Sequence, residues 1–177
     1  MIIEPLEIKG SYLIQRTPST DKRGYFARTY CENEFRDAGI CMPIRQMNLC
    51  VNNEKYTLRG MHLQKNEYAE DKVVSCNRGK IYDVFVDMRK ESETYLKYLG
   101  FELSEENGLM LYIPKGCAHG YMTLEANCQL LYLMSEFYKP TEGFGYRYDD
   151  PVIGIRWPEH DSLVISDKDL SWDYLTL

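Results

Sequence analysis

The chain has 177 residues, a net charge of −6 and a hydrophobic fraction of 44%, which suits one domain with its own core, residues 1–177. It has no basic block or Lys/Arg stripe, which argues against nucleic acid as a partner; an anion would need a local cluster of cations in a pocket. The opening MIIEPLEIKG carries acids where a secretion signal carries cations and has no long apolar run, so the expectation is a cytoplasmic protein with neither leader nor membrane anchor.

In chain order the β-rich runs are YLIQ (12–15), GYFARTY (24–30), IRQMNLCV (44–51), TLRGMHLQ (57–64), KVVSC (72–76), KIYDVFVDM (80–88), YLGFEL (98–103), LMLYI (109–113), GYMTL (120–124) and QLLYLMSEFY (129–138). Turn signals such as Asn77-Arg78-Gly79, Glu106-Asn107-Gly108 and Pro114-Lys115-Gly116 separate them. Helices are few: CENEFRDAG (31–39) with a Gly39 stop, and DKDLSWDYL (167–175). Many short strands at regular spacing predict an all-β jelly-roll barrel with a few short helices. The 15 tyrosines fit half-buried sheets and polar-ended pockets. The six cysteines are scattered without a C-x-x-C pair, and read as reduced and mostly buried apolar fillers.

Three histidines are present. His160, in WPEHDS, reads as a solvated loop residue. His62 and His119 lie in β-rich segments, where a lone histidine is more often structural than catalytic. No H-x-H pair and no His/Cys pair at ligand spacing occurs, so neither a metal nor a cofactor is expected. Arg59 and His62 are three apart, and strict alternation would point them to opposite faces. Gly60 between them is either a plain bend at a barrel corner or a bulge that re-aims both into one cavity. Lys72 shares a face with Val74 and Cys76; a lysine opening a strand is ordinarily solvated. Asp83 and Asp87 share the face of Ile81 and Phe85, where a carboxylate needs a partner. Tyr132 and Tyr138 share parity in the 129–138 run, and Tyr132 reads either as a core tyrosine or as a phenol in the barrel mouth. A base, a cation, a phenol and an anion site together would serve to move a proton beside a carbonyl.

The segments DKRGYFARTY, RQMN, LRGMHLQ, AEDKVVSC.RGKIYDVFVDMRKES.TY, IPKGCAHGYMTLE, LYLMSEFYKPTEG and YDDPVIGIRWP…ISDKD resemble, in order from Asp21 to Asp169, the dTDP-4-dehydrorhamnose 3,5-epimerase family. The resemblance implies a cupin-type jelly roll (double-stranded β-helix), a homodimer, no metal, and a nucleotide-diphosphate deoxysugar substrate inverted at C3 and C5. It implies that His62 is the proton acceptor, Asp169 its carboxylate partner, Tyr132 the acid on the opposite sugar face, and Lys72 the cation near the C4 oxygen. Arg23, Gln46, Asn48, Arg59, His119 and Lys168 match substrate-contacting positions. Tyr138 matches an aromatic that stacks on the base, Asp83 a buried acid of the site, and Glu142 a looser contact.

Removing a proton from C3 or C5 places charge on the C4 oxygen, so a lysine there and an acid on the far face are the groups such chemistry needs. Arg28 stands where the family typically carries an acid near the nucleotide. That leaves epimerase chemistry intact but admits a CDP-linked or otherwise modified 4-keto-deoxysugar, or inversion of one centre only; separate rivals on a similar barrel are a sugar 3,4-ketoisomerase, a sugar-binding module without catalysis and a metal-binding cupin.

Overall fold

The computed structural model describes residues 1–176. Its strands are β1 (Ile2–Pro5), β2 (Tyr12–Gln15), β3 (Ser19–Asp21), β4 (Gly24–Phe26), β5 (Gln46–Asn52), β6 (Leu58–Gln64), β7 (Lys72–Arg78), β8 (Lys80–Asp87), β9 (Tyr98–Ser104), β10 (Leu109–Ile113), β11 (Cys117–Thr123), β12 (Cys128–Met134) and β13 (Gly143–Gly145). Two short α-helices, α1 (Glu32–Asp37) and α2 (Asp167–Leu170), accompany them. A six-stranded sheet in the order β1-β2-β10-β7-β12-β5 faces a five-stranded sheet in the order β13-β6-β11-β8-β9, and β3 and β4 form a separate hairpin. The named strand pairs are antiparallel. This is the two-sheet jelly roll that the spacing of short strands predicts.

Alternation builds the core on both sides of each sheet. Val74, Cys76, Ile81, Phe85, Leu111 and Leu130 meet between the sheets. Their neighbours Val73, Met110 and Leu133 point the other way, under Phe35 of α1 and Ile40. On the second sheet Val84, Val86 and Ala118 are covered by Ile153 and, more loosely, Trp157. Strands buried on both faces read as near-continuous apolar runs, so IYDVFV and LLYL show little clean alternation.

Several boundaries differ from the sequence reading. GYFARTY is a strand only over Gly24–Phe26, because Arg28 leaves the hairpin to pair with Glu34 of α1, which also takes the N-terminal ammonium. QLLYLMSEFY ends at Met134, and β11 begins at Cys117, three residues before the expected start. Strands β1, β3 and β13 were not expected; they are three or four residues long and contain few apolar side chains facing a core. The helix over 31–39 does stop at Gly39, whose φ of +84° suits glycine. Of the cysteines, Cys76, Cys117 and Cys128 are buried, but Cys41 is exposed and Cys31 and Cys50 are half-buried, so burial is less general than expected. No helix among the described residues is long and apolar enough to cross a membrane.

Candidate active site

Residues of both sheets line a cavity of about 460 Å³. The second sheet supplies His62 and Arg59 from β6 and His119 from β11, while the first supplies Asn48 from β5, Lys72 from β7 and Tyr132 from β12. Arg59 and His62 reach the same cavity because β6 is irregular between them. His119 pairs with His62 and Tyr121 with Arg59, so two steps along β11 match three along β6. Gly60, at φ +134°, makes this possible by contact as well as conformation. A Cβ there would lie 2.5 Å from Gly120 Cα, so the two strands touch through paired glycines.

His62 Nε2 lies 2.6 Å from Asp169 Oδ1, and the second carboxylate oxygen takes the Gly60 N–H at 3.4 Å. Asp169 is buried, and burial alone would raise its carboxyl. The hydrogen bond and charge of His62, with Gly60 and Ser166, outweigh that and hold it below the usual carboxylate range. Asp169 comes from α2, outside both sheets. Ser166 caps that helix by accepting the Asp169 N–H at 3.1 Å. The guanidinium of Arg147 donates to the Leu170 carbonyl while paired with Asp149 at 2.8 Å, and the Leu175 N–H reaches Asp150 Oδ2 at 2.6 Å. The indole of Trp172 packs on Gly145, where a Cβ would approach its nitrogen to 2.3 Å. The C-terminal segment is thus held on the mouth by both polar and apolar contacts.

A second histidine–carboxylate pair stands beside the first. His119 Nε2 bonds both oxygens of Asp83 at 3.0 and 2.9 Å, with both residues buried. Burial pushes the Asp83 carboxyl up against the pull of His119. Asp87, the other strand acid, is satisfied locally by Arg89, Ser92 and Thr94. The Tyr132 ring packs edge-on against His119 at 5.9 Å. Burial, with Tyr121 and Asp83 nearby, pushes its phenol well above the usual value, so it stays protonated and able to donate. Arg59 is oriented by Asn52, whose Oδ1 accepts Arg59 Nε and the Tyr121 hydroxyl, each at 3.0 Å.

Toward the outer end Tyr138, Phe144 and Trp172 line the wall. Phe144 and Trp172 lie 5.4 Å apart, with the Lys65 ammonium over the first ring and that of Lys168 over the second. Cations and aromatic faces together suit a phosphorylated ligand bearing a planar base. Among the described residues no group of three or more His, Cys, Asp or Glu is placed to hold a metal ion.

The structure therefore gathers His62, Tyr132, Asp169, Lys72, Asn48, Arg59, His119, Tyr138 and Lys168 around one cavity. It does not bring Arg23 there: that side chain is 83% exposed on the β3–β4 hairpin, where the adjacent Asp21 captures it. Asp83 is fully buried behind His119 and reaches the cavity only through it. Gln46 lines an adjoining recess of about 340 Å³ and accepts the Tyr138 N–H at 2.6 Å. Glu142 sits on the rim, accepting from Asn66 at 2.8 Å. Sequence reasoning missed Gln64, Glu70 and Trp172. Gln64 shares the parity of His62 and could have been found that way, whereas nothing local marks Trp172.

Comparison with known proteins identifies relatives of this chain. The family model described as dTDP-4-dehydrorhamnose 3,5-epimerase matches residues 5–176. A protein of that name from Sinorhizobium fredii is 39% identical, over 97% of this chain and 88% of its own. A crystal structure of the Bacillus anthracis epimerase with TDP and PPi bound superposes with a TM-score of 0.95 at 33% identity, covering 98% of this chain and 99% of that one. One from Legionella pneumophila in complex with dTDP-4-keto-L-rhamnose gives 0.93 at 32% identity, covering 98% and 92%. Family model, sequence identity and superposition agree, and the chain belongs to the dTDP-4-dehydrorhamnose 3,5-epimerase family.

Proposed function

We propose that this chain inverts C3 and C5 of dTDP-4-dehydro-6-deoxy-D-glucose to give dTDP-4-dehydro-L-rhamnose. The observation that carries the reading is the placement of His62 and Tyr132 on opposite sheets around one cavity. A sugar ring held between them offers one face to each. His62, turned by Asp169 so that Nε2 is engaged, takes a proton through Nδ1 from the carbon beside the ketone. The charge moves to the C4 oxygen, where Lys72 stabilises it. Tyr132, kept protonated by burial, returns a proton from the other face and so inverts the centre. Arg59 and Lys168 hold the diphosphate, and Tyr138 stacks on the base.

The enzyme works as a cytoplasmic homodimer in this reading. Strand β5 is an unpaired sheet edge that exposes Met47, Leu49 and Val51, at 66%, 62% and 49%. Tyr25 and Phe26 on the β3–β4 hairpin are exposed as well. An apolar edge of this kind ordinarily pairs with another chain. Mass measurement by light scattering should give twice the chain mass, and a monomer would oppose this part.

Incubation with the dTDP-linked ketosugar in heavy water tests the chemistry. Deuterium should enter at C3 and C5 as the product forms. No exchange at either carbon would refute the function, and exchange at one alone would make the chain a single-centre epimerase. A CDP-linked ketosugar run in parallel tests the nucleotide, since Arg28 pairs with Glu34 rather than entering the cavity.

A further inference from the structure

Lys72 does not enter the cavity as an isolated cation. Its ammonium lies 2.7 Å from Glu70 Oε1, and the two side chains are only 8% and 4% accessible. The other Glu70 oxygen accepts from the amide of Gln64. The same NH₂ lies 3.0 Å from the Tyr68 carbonyl and 3.2 Å from that of Phe137, so its two hydrogens are shared among three acceptors, and the amide oxygen takes the Lys139 N–H at 2.6 Å. Gln64 stands two residues beyond His62 on the cavity face of β6. The strand that carries the base therefore also anchors the carboxylate that grips the lysine.

Burying a carboxylate and an ammonium together is costly, and an apolar pair of similar volume often packs as well. Here the pair forms part of the cavity wall rather than the core. A lysine stem has four rotatable bonds and no fixed fork, so an ammonium without a partner samples many positions. We propose that Glu70 is a positioning residue, which holds the Lys72 ammonium at one point of the cavity wall and is itself held by Gln64. This rests on the reading of Lys72 as the partner of the enolate oxygen. With Glu70 in place, the ammonium is aimed before substrate enters and its charge is compensated in the empty site. The developing oxyanion then meets a donor already in position, which is where such stabilisation is largest.

The test is a double-mutant cycle between E70Q and K72M, read as kcat and as deuterium entry at C3 and C5. E70Q keeps the side-chain length and removes the charge; E70D keeps the charge and shortens the reach. E70Q should lower kcat by roughly tenfold or more with KM changed less than about threefold. E70D should recover part of that loss. In the K72M background E70Q should cause no further loss, because the carboxylate acts through the lysine. An equal fold-loss in both backgrounds, which is what a merely structural role predicts, overturns the proposal, as does wild-type kcat in E70Q. If K72M alone keeps the wild-type rate, it is the role of Lys72 that fails. Far-UV circular dichroism checks the fold of each variant, and if E70Q does not fold, E70D against K72M closes the same cycle.

Discussion

Asparagine at position 169 changes one atom, yet the geometry predicts a large effect. Asp169 offers one oxygen to His62 Nε2 at 2.6 Å and the other to the Gly60 N–H at 3.4 Å. An asparagine has a single oxygen for the two. If that oxygen stays with Gly60, its NH₂ faces Nε2 and drives the imidazole proton onto Nδ1, the nitrogen that must be free to act as base. If it turns to His62 instead, the tautomer survives but the charge is gone. A charge-assisted hydrogen bond contributes about 1.5–3 kcal/mol, and each ~1.4 kcal/mol is a factor of ten in rate. Loss of charge alone therefore costs roughly 10- to 150-fold, and the reversed tautomer takes the loss toward roughly 10⁴-fold. D169N should lower kcat by about tenfold at least, and toward roughly 10⁴-fold if the tautomer reverses, with KM within about threefold, because Asp169 acts on the base and not on the ligand. Initial rates of product formation measure this, and a melting curve verifies that α2 still docks. A D169N enzyme within about fivefold of wild-type kcat would refute the assignment of His62 and Asp169 as a working pair.

Y132F should separate the two halves of the reaction: deuterium still enters through His62, but inversion slows by roughly 10²-fold or more as the opposite-face acid is lost; NMR of recovered substrate and product distinguishes the two. G60A places a Cβ 2.5 Å from Gly120 Cα at a φ of +134°, and should destabilise the fold by about 2–5 kcal/mol through strain and overpacking, read as a drop in Tm of roughly 5 °C or more. D87N tests linkage. Burial would raise the Asp87 carboxyl, but hydrogen bonds from Arg89, Ser92 and Thr94 depress it, so its contribution is complete above the unfolded value of ~3.9 and is lost as pH falls below it. The Tm gap between wild type and D87N should accordingly be wide at pH 7 and narrow progressively in acid; a gap that stays constant with pH would show that the charge is not what stabilises the turn.

The strands that alternate around the core were legible because each places branched or aromatic side chains between turn signals. The exceptions share a cause. Strands β1, β3 and β13 are held by backbone pairing at edges, where side chains carry little pattern. Of the site, Lys72 and Asp83 stand out in the sequence as polar residues on apolar strand faces, and Gly60 as an irregularity. Their partners were not legible locally. Asp169 meets His62 across 107 residues and His119 meets Asp83 across 36, and no periodicity encodes such contacts. Only the family's ordered motifs pointed to Asp169. Glu70 carries no local signal, because a glutamate in the polar loop NEYAED reads as solvated, whereas the fold buries it to 6% exposure beside Lys72.

The docking of α2 by Arg147, Asp150 and Gly145 has a consequence for how the protein becomes active. Every strand of both sheets is complete by Gly145, while the carboxylate that orients His62 arrives more than twenty residues later. The strand pairing of the two sheets thus does not include the residue that bonds His62. Limited proteolysis behind Val164, or a bulky C-terminal tag that pries α2 away, should leave the far-UV signal of the β-sheets and the cavity position of Arg59 while removing the carboxylate that bonds His62. Activity per folded molecule should then fall with the fraction of undocked α2, and the fluorescence of Trp172, which packs against Gly145 and Phe144 only when the segment is docked, should report that fraction.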